Sequence, residues 1–178
     1  MYLKTEGPLG APRVVRDLRA VLDPGVTIIG NQGLTPVAWF FGAAGSAARG
    51  VIMTVPGMTV DAVGPRGRRF LREFKTALPK HRLYYLDVYA TAATEALLDA
   101  IARSDGTRES VARALKSTHL ADSPIGPLSF AADGEPASNP ISVLRIERRR
   151  KNLGLILDTR GARRIGSVDP PARLVGAG

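Results

Sequence analysis

Few residues in this chain have the types and spacing that catalysis or metal binding requires. Its two histidines, His81 and His119, are 38 positions apart, whereas a metal site or an acid–base pair needs them together with a carboxylate. Asp87, Glu95 and Asp99 fall on or near one predicted helix, which is typical of a solvated acidic face. The sequence therefore predicts no catalytic residue, no metal site and no cofactor.

Motifs for nucleotide binding and nucleophilic catalysis are also missing from the sequence. Neither a Walker loop nor a dinucleotide fingerprint occurs. Residues 42–46 contain the glycines of a nucleophile elbow, but the serine follows the second glycine, so close packing of small residues explains the run better. The chain has no cysteine, which excludes disulfides and thiolate chemistry and leaves the compartment open.

The net charge of +9 is concentrated near the C-terminus. Residues 145–178 hold nine Lys/Arg and three Asp/Glu, whereas residues 1–144 hold sixteen and thirteen. A basic segment such as 145–151 can contact nucleic acid or anionic surfaces, but no aromatic residues are interleaved with it for base stacking. A charge-guarded edge strand explains the pattern equally well, so the sequence argues against nucleic acid as a partner.

Hydrophobic periodicity predicts that strands and helices alternate in the first half of the chain. Strands are expected at three short apolar or β-branched runs, residues 1–3, 26–29 and 50–55. Helices are expected where apolar residues recur at helical spacing, at 12–22, 36–48 and 66–78. This order is typical of parallel βαβ units, in which ligands bind at the carboxyl ends of the strands. The loops after Leu3, Ile29 and Val55 are therefore the candidate binding loops.

The second half of the chain begins with a longer predicted helix over residues 85–103. Its apolar stripe is expected to face the core and comprises Tyr89, Ala92, Ala93, Ala96, Leu97, Ala100 and Ile101. Thr107 is the expected N-cap of the next helix, with Glu109 in its first turn. After Gly126 the period changes to two, which predicts strands or hairpins at 128–130, 141–146, 153–157 and 165–168.

Several short motifs occur in an order that points to one family. The clearest block is 89–146, which contains the runs YATAATEALLDAIARSDGT and GPLSFAADGEP. Upstream, successive matches fall at 18–26, 28–36, 43–50 and 55–57. Together they resemble the type I substrate-binding proteins of branched-chain amino acid ABC transporters, the leucine-binding-protein family. The resemblance covers roughly residues 1–175 but only the second half of the family's length.

The resemblance implies an α/β fold, a type I periplasmic-binding-protein-like doubly wound parallel sheet that is incomplete, with one lobe plus part of the other. Residues 1–82 would be an α/β segment of the C-terminal lobe. Residues 83–140 would dock on the missing N-terminal lobe, and residues 141–178 would be return strands and a basic tail. Without that lobe, apolar helix residues would be exposed, so we expect the isolated chain to be marginally stable, to self-associate or to need the missing half.

The resemblance also implies one wall of a solute site. Thr5 and Glu6 lie in the loop after the first strand, where the family often presents a cleft residue. Gln32 occupies the position where amino-acid binders usually carry Asp or Glu for the ligand ammonium. A neutral amide bonds an ammonium more weakly than a carboxylate does, which leaves open a neutral amide or hydroxyl-bearing solute, a decayed site or an ordinary loop residue. Tyr89, at the inferred crossing between lobes, either lines the cleft or packs in the core.

The implied function is that of a non-enzymatic, extracytoplasmic component of an ABC importer. It would bind an amino acid or a related small solute and pass it to the membrane permease. An intact family member would be periplasmic or at the cell surface, but residues 1–10 lack the features of a signal peptide, so the chain as written would be cytoplasmic. The alternative is a stand-alone interaction or regulatory half-domain that uses its basic tail.

Overall fold

The computed structural model describes residues 1–4, 10–59, 62–81, 85–148 and 159–169. Two of the predicted site residues, Thr5 and Glu6, lie outside these ranges, as does the strand predicted at 153–157. The described elements, in chain order, are β1 (Tyr2–Leu3), α1 (Ala11–Val21), β2 (Ile29–Gly30), α2 (Val37–Ala44), β3 (Ile52–Pro56), α3 (Pro65–Ala77), α4 (Tyr85–Ala102), α5 (Arg108–Lys116), β4 (His119–Leu120), β5 (Leu128–Ser129), β6 (Ile141–Ile146) and β7 (Ala162–Val168).

The chain folds into two compact units. Unit 1 comprises Met1–Gly57 and Pro140–Gly178, and unit 2 comprises Met58–Asn139. The compact units divide after Gly57, so α3 belongs to unit 2. The boundary that the sequence predicts after residue 82 is of another kind, because it separates segments of different receptor lobes. Which lobe of a receptor each segment corresponds to stays a prediction.

Unit 1 is built on a five-stranded mixed sheet with the order β1-β2-β3-β6-β7. The first three strands run parallel, whereas β6 and β7 are each antiparallel to their neighbour. Strand β2 starts later than predicted because Val26 donates its amide to Asp23 in a local turn, at 2.9 Å. The parallel order of β1 to β3 places the loops that follow them at the same edge of the sheet.

The helices of unit 1 follow their sequence signals closely. Helix α1 has Pro12 in its first turn, as predicted, and buries Val15 completely. Helix α2 ends at Ala44, four residues earlier than expected. Gly45 adopts a φ of +65°, which glycine accepts readily, and the chain continues as the 3-10 helix Gly45–Ala48. The apolar side chains of these elements form the core of unit 1, which includes Ile28, Leu34, Val37, Phe40, Val51, Met53, Leu144 and Ile146.

Unit 2 combines α3, α4 and α5 with the antiparallel pair β4–β5. Its core cluster is small and consists of Ala92, Ala96 and Leu128, with Leu115, Leu120, Ile125 and Phe130 packed against it. A Cβ at Gly67 would lie 2.3 Å from the Pro124 carbonyl oxygen, so only glycine lets α3 approach this loop so closely. Thr107 caps α5 as predicted, accepting the Ser110 amide at 3.2 Å.

Helix α4 buries one side and exposes the other. The buried side carries Val88, Ala92, Ala96 and Ala100. Leu97 and Ile101, which the sequence placed on the buried stripe, are 44% and 45% exposed. The helix is apolar on more than one side, so periodicity alone did not identify the covered face. No described helix is long and apolar enough to cross a bilayer.

Candidate functional site

The carboxyl ends of β1, β2 and β3 form the candidate binding edge of unit 1. Leu3 is in register with Gly30, and Gly30 is in register with Met53. The Thr54 hydroxyl also reaches the Gly30 carbonyl, at 3.4 Å. Strand β2, which leads into one of the three predicted binding loops, is therefore paired with a neighbouring strand on each side.

A short turn after β2 presents Gln32. The Asn31 carboxamide oxygen accepts the Gly33 amide at 3.1 Å, which starts the 3-10 helix Gln32–Leu34. The Thr35 amide and hydroxyl both donate to the Gln32 carbonyl, at 3.0 and 2.6 Å. These bonds fix the backbone of the turn, while the Gln32 residue is exposed. Asn31 lies in the loop that the sequence predicts after Ile29, and an Asn directly after a strand is a known turn signal.

Leu34 anchors this turn to the sheet. It is completely buried, and a Cβ at Gly30 would lie only 2.6 Å from its Cδ1 atom. A side chain at position 30 would therefore displace Leu34, and the turn with it. The last residue of β2 is a glycine for this packing reason, and the anchored turn positions Gln32 at the end of the strand.

Tyr89 lies on the second turn of α4, in unit 2, and is half-buried. Its phenolic oxygen accepts the Met58 amide at 2.6 Å. Burial raises the pKa of the Tyr89 phenol, and the bond from Met58 acts in the opposite direction. Because Met58 is the first residue of unit 2, this hydrogen bond links the start of the unit to α4.

Two polar residues that the sequence does not single out, Ser142 on β6 and Thr59 after β3, are buried. The buried Ser142 hydroxyl donates to the Gly57 carbonyl at 2.7 Å, and Gly57 donates its amide to Pro140 at 2.7 Å. Gly57 has a φ of +80°, which favours glycine. Thr59 is buried, and its hydroxyl has no hydrogen-bond partner among the described residues. A serine inside the apolar run of β6 was the available signal for Ser142.

The four predicted site residues fall in different parts of the chain. Gln32 belongs to unit 1 and Tyr89 to unit 2, and each is described within its own unit. Thr5 and Glu6 lie outside the described residues. The assignment of all four to a solute site stays a prediction.

The acidic residues predicted on or near α4, and His81, have structural partners. Arg66 pairs with Glu95 and Arg103 pairs with Asp99, both at 2.7 Å. His81 Nε2 lies 3.5 Å from an Asp87 carboxylate oxygen. Among the residues that the structure describes, no three His, Asp or Glu side chains converge as a metal site would require.

Comparison with known proteins gives the geometry a family context. A family model described as periplasmic binding protein matches residues 10–151. A leucine-binding protein of Thermotoga maritima is similar in structure, with a TM-score of 0.69 and 18% identity, over 95% of this chain and 44% of that one. A Rhodopseudomonas palustris solute-binding protein in complex with benzoate gives 0.61 and 19%, over 95% and 43%. No curated protein sequence matches the chain.

A third solved structure extends the comparison. A branched-chain amino acid transporter substrate-binding protein of Streptococcus pneumoniae, in complex with isoleucine, gives a TM-score of 0.58 and 14% identity, over 95% of this chain and 44% of that one. These likenesses confirm the predicted fold class. The chain spans less than half the length of each of these structures.

Proposed function

Because the chain belongs to the periplasmic binding protein family, we propose that it supplies part of a receptor that binds a small solute for an ABC importer. The match over residues 10–151 is the observation that carries this proposal. The family binds solutes and is not enzymatic, as the sequence predicted. It is also a periplasmic family, so the receptor that contains this chain would act outside the cytoplasm and deliver its solute to a membrane permease.

We infer that the solute is a small carboxylic acid without an obligatory ammonium group. The relatives of known structure include complexes with isoleucine and with benzoate, and both ligands carry a carboxylate. Gln32 offers an exposed neutral amide at the end of β2. An amide can donate to or accept from a hydroxyl or carbonyl, but it provides no negative charge for an ammonium. An aromatic or hydroxylated acid therefore suits this position better than a free amino acid.

The exposed side of α4 supports a role for a complementary lobe. Leu86, Leu97, Leu98 and Ile101 are 49%, 44%, 59% and 45% exposed on this one helix. An apolar patch of this kind commonly marks an interface. The related structures are more than twice as long as this chain, so they contain residues with no counterpart here. We propose that an N-terminal lobe covers this side of α4 and supplies the remaining contacts to the solute.

A chimera would test solute binding directly. In it, this chain would follow the N-terminal lobe of the Thermotoga maritima leucine-binding protein, with the intact protein from that organism as the positive control. Isothermal titration should show saturable one-to-one binding of benzoate or p-hydroxybenzoate that is tighter than binding of leucine. A folded chimera that binds none of these solutes would contradict the proposal. Salt-sensitive binding of polyanions by the chain alone would then favour the interaction-domain alternative.

A further inference from the structure

The segment containing α3 has a charge pattern that solute binding does not explain. Residues 65–81 contain six Lys/Arg and one Asp/Glu, for a net charge of +5. The rest of unit 2, residues 58–64 and 82–139, contains five Lys/Arg and nine Asp/Glu, for a net charge of −4. One helix and the turn after it therefore concentrate positive charge on an otherwise acidic unit.

Two of the α3 cations are neutralised within unit 2. Arg66 pairs with Glu95 of α4 at 2.7 Å and also donates to the Asp122 carbonyl. Arg69 pairs with Glu73 one turn further along α3, at 2.7 Å. Arg66 thus links α3 to α4, and Arg69 balances the charge of Glu73. The other cations of α3 are Arg68, Arg72 and Lys75.

Three other cations form an uncompensated row. Arg68, Arg72 and Lys75 are spaced by four and three positions, which places them on one side of the helix. Arg68 donates to the Val63 carbonyl at 2.8 Å and Lys75 donates to the Pro79 carbonyl at 3.0 Å, and neither bond cancels a charge. Within the described ranges, no acidic group lies within ion-pair distance of any of the three. All three residues are exposed.

Two leucines adjoin this row. Leu71 precedes Lys75 by four positions and Leu78 follows it by three, so the three residues are neighbours along the helix surface. Leu78 is 50% exposed and Leu71 is half-buried. Gly67 lies four positions before Leu71 and contacts the Pro124 loop, so the edge of this face that carries Leu71 borders the rest of unit 2. Leu78 is therefore the apolar side chain that is most exposed beside the cations.

We propose that this face of α3, formed by Arg68, Leu71, Arg72, Lys75 and Leu78, binds the surface of an anionic lipid bilayer. Lipid phosphates and anionic headgroups complement the cations, while Leu78 enters the boundary between headgroups and acyl chains. Nucleic acid fits less well because it offers no apolar environment for an exposed leucine. The nearby aromatic rings, Phe70 and Phe74, pack against each other at 5.5 Å instead of forming a stacking surface. This inference does not depend on solute binding.

Vesicle co-sedimentation of the full 178-residue chain tests the proposal. Vesicles of phosphatidylglycerol and phosphatidylcholine in equal parts should bind the chain at low salt, and pure phosphatidylcholine vesicles should not. The variant Arg68→Gln/Arg72→Gln/Lys75→Gln should lower the partition coefficient by about 100-fold, since each cation near an anionic surface contributes about fivefold. The control Arg108→Gln/Arg113→Gln/Lys116→Gln removes the same charge from exposed positions of α5 and should change binding by less than about fivefold.

The other outcomes of this experiment also decide the question. Leu78→Ser should weaken the binding that persists in high salt, because that part rests on apolar insertion. Absence of binding to anionic vesicles, or equal losses in the two triple variants, would overturn the proposal. If the chain binds duplex DNA but not vesicles, and the triple variant loses the DNA binding, the proposal would be overturned in favour of nucleic acid. If the triple variant fails to fold by circular dichroism, Arg72→Gln replaces it with an expected loss of about fivefold.

Discussion

The bond between Tyr89 and Met58 makes a defined contribution to the stability of unit 2. In Tyr89→Phe the Met58 amide loses its acceptor at a half-buried position, which costs about 1–3 kcal/mol. Urea unfolding should show this loss in the free energy of unfolding. Tyr2→Phe is the matched control, because Tyr2 is 62% exposed. Equal stability of the two variants would show that the Tyr89 hydroxyl does not stabilise the unit.

The stability of unit 2 should depend on pH through Asp99, and the partners of this carboxyl set the sign of the dependence. The hydrogen bond from Arg103 lowers the pKa of the Asp99 carboxyl, with a smaller contribution from Thr118. A carboxyl whose pKa is lower in the folded state stabilises the fold above its ordinary pKa, and this stabilisation is lost as the pH falls through the folded value.

Asp99→Asn should therefore flatten the acid limb of the stability profile. Melting temperatures measured from neutral pH down to about pH 3 should fall less steeply in this variant than in the unaltered chain. The exposed Asp17 on α1 serves as the control in Asp17→Asn, because its side chain is 71% accessible. Parallel profiles for the unaltered chain and Asp99→Asn would rule out a specific role for this carboxyl.

Gln32 should control the charge preference of the solute site. Gln32→Glu introduces the carboxylate that the family resemblance implies for amino-acid binders at this position, and a charge-assisted bond is roughly twice as strong as a neutral one. In the chimera described above, the ratio of leucine to benzoate affinity should rise by about tenfold, equal to about 1.4 kcal/mol. The control Gln32→Asn keeps a neutral amide and should leave the ratio close to its starting value. An unchanged ratio in Gln32→Glu would remove Gln32 from the site.

The turn that carries Gln32 and the helix cap at Thr107 were predictable from the sequence, because local signals fix both; the role of Gln32 in a solute site stays a prediction. A strand followed by Gly, Asn and Gly marks a turn, and a threonine before an acidic first turn marks a cap. The bond from Met58 to Tyr89 was not predictable, because it joins a backbone amide to a side chain 31 residues away. The buried bond of Ser142 to Gly57 spans 85 residues and was missed for the same reason.

At the level of elements, the exposed side of α4 should drive self-association. Leu97→Gln/Ile101→Gln removes two half-exposed apolar side chains, so sedimentation velocity should show fewer oligomers of the isolated chain with little change in its melting temperature. The control Val14→Gln/Val21→Gln changes two exposed positions on α1 and should leave the oligomers in place. A monomeric unaltered chain, or equal effects of both variants, would contradict the covering role proposed for an N-terminal lobe.

The elements themselves were predicted to different degrees. Helix positions agree within a few residues because proline, glycine and apolar spacing set their ends, as in α1 and α3. Strand β4 was missed because its two residues, His119 and Leu120, form no periodic pattern. The exposed side of α4 was misassigned because an apolar helix gives no sign of which side its own chain covers and which side is left for another.

In the whole molecule, the order of many weak motifs predicts the fold and the family. It does not predict how the solute site is assembled. The periplasmic binding protein match over residues 10–151 agrees with the resemblance in the sequence. The four predicted solute residues fall in unit 1, in unit 2 and outside the described ranges, and their assignment to one site stays a prediction. We propose that a complementary lobe completes this site.

Thermodynamic linkage tests that claim most directly. If the solute binds between this chain and a complementary lobe, saturating solute must strengthen the association of the two parts. By linkage, the factor is the same as the one by which association raises the affinity for the solute. The measurement is the dissociation constant between the 178-residue chain and the separate N-terminal lobe of the Thermotoga maritima protein, with and without benzoate. We predict association that tightens by about tenfold or more when the solute is saturating. The proposal would be contradicted if the two parts do not associate. It would also be contradicted if benzoate, p-hydroxybenzoate and leucine each leave the dissociation constant unchanged.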